Sequence, residues 1–167
     1  SSPNWGSTKP LIVQKAYAVP LMTYAELKFI LCEYNGYDAT DYKDGVAASL
    51  KYWYDLAGKS ISNTTIDAYV NAVSGNVNAE TCALQKYIDL YTNGTEAWTE
   101  IRRTGYPKLF PIVNNLNTDG VTVQRGMRRL PFPQSEYNTN NANVKAAVSM
   151  LGGADNSATD LWWAKKN

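Results

Sequence analysis

Six carboxylates, Glu26, Glu33, Asp55, Asp67, Asp89 and Glu136, are candidates for acid–base chemistry. Hydrolysis of a sugar bond needs two such groups held roughly 5 to 9 Å apart across the glycosidic oxygen. No sequence spacing pairs any two of them. The chain has no histidine, so the commonest general base, the usual nucleophile–base dyads and most zinc sites are missing. Cys32 and Cys82 lie far apart and lack CxxC spacing, which writes neither a zinc cluster nor a redox motif. Buried thiols are the preferred reading for both, because free Cys behaves as a small hydrophobe; a single disulfide between them stays open. Asn115-x-Asn117-x-Asp119-Gly120 imitates the first half of a calcium loop, but the twelfth position is Gly126 where a bidentate glutamate belongs. An Asn/Gly turn is the preferred reading there. The expectation is a protein that is not an enzyme, with no catalytic residue, no metal and no cofactor.

Binding chemistry is better represented. Twelve Tyr and five Trp outnumber three Phe, and such amphipathic rings suit wet binding surfaces. Trp53 and Tyr54, with Trp5, are the candidate ligand-binding residues, since an aromatic face covers the apolar face of a pyranose. Tyr52, Trp53 and Tyr54 are adjacent on a helical stretch and point in different directions, so at least one is expected in the core. The stretch Glu96–Pro107 carries Trp98 four residues before Arg102, with Glu96, Glu100 and Arg103 at ion-pairing spacing. Paired arginines can fork onto oxyanions. The structural reading is preferred: cations at the negative end of a helix dipole, with Gly105 as C-cap and Trp98 packed inward. Asn63-Thr64-Thr65 and Asn93-Gly94-Thr95 match the glycosylation acceptor pattern, but helix-boundary chemistry accounts for both.

The elements that must carry these residues are helices. Thr23-x-x-Glu26 has the form of a capping box, opening a helix over Tyr24–Tyr34 with Leu27, Ile30, Leu31 and Tyr34 at helical spacing. A second helix fits Thr40 or Asp41 through Leu56, antiparallel to the first, with Val46, Leu50, Trp53 and Tyr54 sharing a stripe. Ser62-Asn63 caps a third bearing Ile66, Tyr69, Val70 and Val73, stopped by Gly75. Asn78 caps a fourth bearing Cys82, Leu84, Tyr87, Ile88 and Tyr91, which ends at Asn93-Gly94; Thr95 opens a fifth, Glu96–Thr104. A long loop follows Pro107, with a short strand at Val121-Thr122-Val123 and an extended Arg128–Pro133 imposed by its prolines. A last helix covers Asn143–Leu151, ended by Gly152, and Leu161-Trp162-Trp163 reads as an apolar anchor. Pro3 to Pro20, with the β-rich run Leu11-Ile12-Val13 bounded by Pro10 and Pro20, is an extended entry segment.

The chain of 167 residues is expected to be a single unit, with a helical part over 21–104 and a loop-rich part with one terminal helix over 105–167. Sixteen basic residues against fifteen acidic ones leave no field to draw it to nucleic acid. No segment reaches the roughly 18 consecutive apolar residues of a membrane span. Ser1-Ser2-Pro3-Asn4-Trp5-Gly6 without an initiator Met reads as a processed piece. No consensus at the roughly 34-residue period of tetratricopeptide repeats is present.

Taken in order, these motifs resemble the C-terminal portion of SusD/RagB-like proteins. Thr23-Tyr24-Ala25-Glu26, Tyr42–Ser49 and Gln85–Tyr91 begin the resemblance. Glu96-Ala97-Trp98 with Arg102–Pro107, then Arg128–Pro133 with Glu136, Asn140 and Asn143, and finally Leu161-Trp162-Trp163, strengthen it. Phe132 stands where the family usually has tyrosine, so an aromatic ring is kept. The resemblance implies a mostly α fold of tetratricopeptide-like helix pairs with long irregular C-terminal loops. It also implies an outer-membrane, cell-surface lipoprotein of Bacteroidetes, with its lipid anchor on an N-terminal portion of the same protein not included here. The implied role is capture of glycans or related nutrients for delivery to a SusC-like TonB-dependent transporter, without chemical conversion. The alternative is a helical-repeat protein–protein interaction module.

Overall fold

Short polar side chains open the first five helices of the chain. Thr23 Oγ1 accepts from the Glu26 amide at 2.9 Å, Asp38 Oδ1 from Thr40 and Asp41, Ser62 Oγ from Thr65, Asn78 Oδ1 from Glu80 and Thr81, and Asn93 Oδ1 from Glu96. Each satisfies amides that a helix start leaves free, a contribution of about 1 kcal/mol apiece. The computed structural model describes residues 19–108, 121 and 126–165, and these divide into two compact units, one ending at Asp89 and one beginning at Leu90. The first holds α1 (Tyr24–Tyr34), α2 (Ala39–Leu56), α3 (Asn63–Val73) and α4 (Ala79–Asp89). The second holds α5 (Gly94–Thr104), α6 (Gln134–Thr139), α7 (Asn141–Leu151) and a 3₁₀ turn at Trp162–Ala164. Among the described residues there is no strand, and no helix is long and apolar enough to cross a membrane.

In the first unit α1 and α2 share the most extensive interface. Asn35 bonds Asp41, while Lys28, two turns earlier, pairs with both Asp41 and Asp44 at 3.0 Å, so the helices run antiparallel. Between them Phe29 meets the Tyr42 ring edge-on at 6.2 Å. Gly45 lets the two backbones close over that ring. Ala25, Cys32, Val46, Ile66, Val70 and Cys82 complete the core, and full burial of a side chain the size of Phe29 or Val46 contributes about 1.5–3 kcal/mol. The Tyr42 hydroxyl donates to the Val73 carbonyl at the end of α3, and burial pushes that phenol up to about 12.

The cysteines are free and buried. The Cys82 thiol donates to the Phe29 carbonyl, and burial pushes the Cys32 thiol up, with the neighbouring Cys82 opposing.

Two helices turn opposite ways from their periodicity. On α1 the buried residues are Ala25, Glu26, Phe29 and Cys32, while Leu27, Ile30 and Tyr34 are exposed. The helix is apolar on both sides, so periodicity could not choose the inner one. On α4 the inward residues are Cys82, Ala83, Gln85, Lys86 and Asp89, and Leu84, Tyr87 and Ile88 face outward. The polar inner side is engaged: the Thr23 hydroxyl donates to Asp89 at 2.7 Å, and Gln85 to the Tyr69 hydroxyl.

α4 ends at Asp89 rather than at Asn93-Gly94. Thr92 takes a left-handed φ of 115°, which breaks the helix, and Asn93 serves as the N-cap of α5 instead. In the same way Asn63 is the first residue of α3, so both acceptor-pattern asparagines sit at helix starts. α6 was not anticipated from sequence. The extended segment before it and α7, begun two residues earlier than expected and ended by left-handed Gly152, agree with expectation. The entry segment up to residue 18, most of the strand at Val121-Thr122-Val123 and the calcium-like residues Asn115, Asn117, Asp119 and Gly120 lie outside the described residues.

Candidate functional site

The chemistry of the second unit gathers around the end of α5. Trp98 and Arg102, one turn apart, stack with the guanidinium 4.6 Å from the ring. The indole donates to the Met127 carbonyl at 2.8 Å, which fixes the ring. Glu100 is buried and takes a hydrogen bond from Arg103 at 2.8 Å. Gly105, at φ 82°, turns the chain and returns its amide to Ile101. The Thr104 hydroxyl closes the turn by bonding the Glu100 carbonyl and accepting from the Tyr106 amide.

Two further arginines hold the extended segment in place. Arg128 donates Nε to Asp160 at 2.8 Å and a terminal nitrogen to the Arg102 carbonyl at 2.9 Å, while its own amide bonds Ser157. Arg129 pairs with Asp155 and lies 5.2 Å from the centre of the Phe132 ring. Asp155 also accepts from the Tyr137 hydroxyl at 2.7 Å and from the Phe132 amide. Burial works against its charge, but the bonds from Arg129, Tyr137 and Phe132 prevail and hold the carboxyl below its ordinary value. The same bond pushes the Tyr137 phenol up. Arg128, Arg129, Asp155 and Asp160 are thus scaffold.

Arg102 is different. Among the described residues it has no carboxylate at ion-pair distance, and its buried Nε–H has no acceptor. Burial, then the nearby Arg128 cation, push its guanidinium below its ordinary value, with Asp160 opposing. Beside it opens a groove of about 190 Å³ lined by Thr99, Arg102, Arg103, Trp163, Ala164 and Lys165. Trp162 and Trp163 meet edge-to-face at 5.4 Å and are 79% and 61% exposed. They do not form the buried anchor expected of them; the 3₁₀ turn holds both rings outward.

The candidate stacking residues fare unevenly. Trp5 lies outside the described residues. Trp53 and Tyr54 lie near the end of α2, where Trp53 is half-buried, packed edge-on against Tyr52 at 5.2 Å, and Tyr54 is exposed. None of Tyr52, Trp53 and Tyr54 is a core residue, contrary to expectation. Trp53 follows Tyr42, Val46 and Ser49 on the inner side of α2, and its indole nitrogen is buried although the ring as a whole is only half-buried. Among the candidate carboxylates, Glu26 and Asp89 are buried. Sequence reasoning missed Asp155 and Asp160 as the partners of the arginines. One signal was available: they are the only acidic residues after Glu136, so buried cations nearby had few other partners. The meeting of Trp163 and Lys165 with Arg102 carries no local signature. Among the described residues no group of side chains is arranged to hold a metal ion.

Residues 35–164 match the family model for SusD-like proteins, described as SusD and RagB outer membrane lipoproteins. The chain belongs to this family. A solved chitin-binding protein is 34% identical with a TM-score of 0.69, the match covering 86% of this chain and 33% of that one. A SusD homolog from Bacteroides uniformis is 32% identical (TM-score 0.66; 85% and 36% covered). A chitin-binding SusD homolog from Flavobacterium johnsoniae is 30% identical (TM-score 0.65; 88% and 37% covered). The chain therefore spans about a third of the length of these relatives. A search of curated proteins gives no match.

Proposed function

We propose that this chain is part of a cell-surface protein that captures glycans at the outer membrane and passes them, chemically unchanged, to a SusC-like TonB-dependent transporter. The observation that carries the reading is the match to two chitin-binding relatives at 34% and 30% identity over 86% and 88% of this chain. The description of the family as outer membrane lipoproteins supports the location. The exposed Trp162 and Trp163, and Tyr54 on the first unit, supply rings of the kind that bind sugars by stacking. Trp53, Tyr54 and Trp5 are kept as candidate stacking residues on the same chemical ground.

The test uses the full-length protein. Calorimetric titration with chitohexaose and a panel of neutral and acidic oligosaccharides should give saturable heat, and chromatography of the same mixtures after prolonged incubation should return the glycan intact. A pull-down from outer-membrane extract should bring a large TonB-dependent barrel protein. Conversion of the glycan would remove the capture reading in favour of an enzyme; protein association without any glycan heat would favour an interaction module.

A further inference from the structure

We infer that the groove at the end of α5 is a subsite for an acidic sugar, a pyranose bearing a carboxylate, with Trp163 under the ring, the Arg102 guanidinium at the acid group, and Arg103 and Lys165, held by Glu100 and by the Leu151 carbonyl, adding positive charge at the rim. The inference rests on the capture reading and narrows its ligand class. Its basis is a charge imbalance joined to an open aromatic ring. Arg128 is answered by Asp160 and Arg103 by Glu100. Arg102 has no such carboxylate among the described residues, and its Nε–H is left without an acceptor. The guanidinium is half-buried and stacked on Trp98, so a carboxylate that reaches it adds a charge-assisted bond that no described side chain supplies.

Three carbonyls of the last turns of α5, where free carbonyls would repel an anion, are engaged: Ile101 O accepts from Gly105, Glu100 O from Thr104 and Arg102 O from Arg128. The stack on Trp98, itself pinned to Met127, holds Arg102 in one orientation before any ligand comes. That preorganisation lowers the entropic cost of binding. Guanidinium and carboxylate match as planar, two-pronged partners. A free carboxylate would satisfy the charge alone, but Trp163, 61% exposed on the same groove, offers a face that favours an acid carried on a sugar ring. The volume of about 190 Å³ suits one residue of a chain and not an extended oligomer.

The full-length protein is titrated with hexagalacturonate, with its fully methyl-esterified neutral form and with chitohexaose, at low and high salt. Trp163→Ala and Lys165→Gln are the test variants, because both side chains are exposed and their loss leaves the fold intact. The expected result is binding of hexagalacturonate, weaker on esterification and at high salt, reduced about tenfold by Trp163→Ala and about threefold by Lys165→Gln at low salt only. Binding of chitohexaose with none of hexagalacturonate overturns the acidic subsite and leaves glycan capture standing. So does hexagalacturonate binding that both variants leave unchanged. Absence of binding to any of the three overturns the subsite, and the capture reading falls with it when the wider oligosaccharide panel also gives no heat.

Discussion

Replacing Gly45 by alanine sets two well-defined effects against each other. Gly45 lies inside α2 and is not among the glycines with positive φ, so the propensity effect alone favours alanine by about 1 kcal/mol. The added Cβ would, however, fall 2.8 Å from Phe29 Cε1, 3.0 Å from Cδ1 and 3.1 Å from Cζ. Carbon atoms in ordinary contact are about 3.5–4.0 Å apart, so the ring must retreat by most of an ångström. It cannot do so freely: Phe29 is 1% exposed and its edge packs on Tyr42. Overpacking of this kind costs about 1–3 kcal/mol, and a sealed aromatic ring places it at the upper end. Gly45→Ala is therefore expected to destabilise the protein by about 1–2 kcal/mol net. Urea unfolding followed by far-UV circular dichroism should show the midpoint falling by about 0.5–1 M with the slope unchanged. A second variant isolates the cause. Phe29→Leu removes the clashing ring edge, so the double substitution should cost less than the sum of the singles by about 1 kcal/mol. A Gly45→Ala protein more stable than the parent, or two costs that simply add, would refute the close-approach argument.

Other consequences can be checked as directly. Asp155→Ala leaves Arg129 buried without its carboxylate and takes acceptors from Tyr137 and the Phe132 amide, so a loss of about 3–5 kcal/mol is expected by the same unfolding assay; a loss under about 1 kcal/mol would show that the second unit does not depend on this hub. The carboxyl of Asp155 is held below its ordinary value of 3.8, so its stabilisation is fully present above that value and is lost as pH falls through the lower folded one. Unfolding midpoints measured downward from about pH 5 should fall less steeply in Asp155→Asn than in the parent. Cys32 and Cys82 are buried and the Cys32 thiol is pushed above its ordinary 9.0, so a thiol reagent should label neither in the folded protein and both in urea; rapid labelling without denaturant would contradict the packing.

The helix starts at Thr23, Ser62 and Asn78 were legible because each depends on a short polar side chain a few residues from the amides it serves; those of α2, capped by Asp38, and α5, capped by Asn93, fell one or two residues before the expected ones. The end of α4 was not, since Asn93-Gly94 can close one helix or open the next, and the strained backbone of Thr92 that decides between them is invisible in a sequence. The side a helix buries was legible only where one side is apolar. Ile66 and Val70 on α3 were read correctly, whereas α1, apolar all round, and α4, polar inside, were not. The arginine motifs were recognisable, but the scaffold role of Arg128 and Arg129 was not. Their partners Asp155 and Asp160 lie more than twenty residues away, and such pairings depend on tertiary folding rather than spacing. Trp53 and Tyr54 were identified as rings, but how far each is covered depends on tertiary packing around the end of α2, which no local pattern records.

The reversed sidedness of α4 has a consequence for how this helix tolerates change. In most amphipathic helices the aliphatic positions are the intolerant ones and the polar positions drift. Here Gln85 and Asp89 hold specific partners on the inside, while Leu84 and Ile88 face outward. In the chain as described, a mutational scan of α4 would read inside out, with serine accepted at Leu84 more readily than leucine at Gln85.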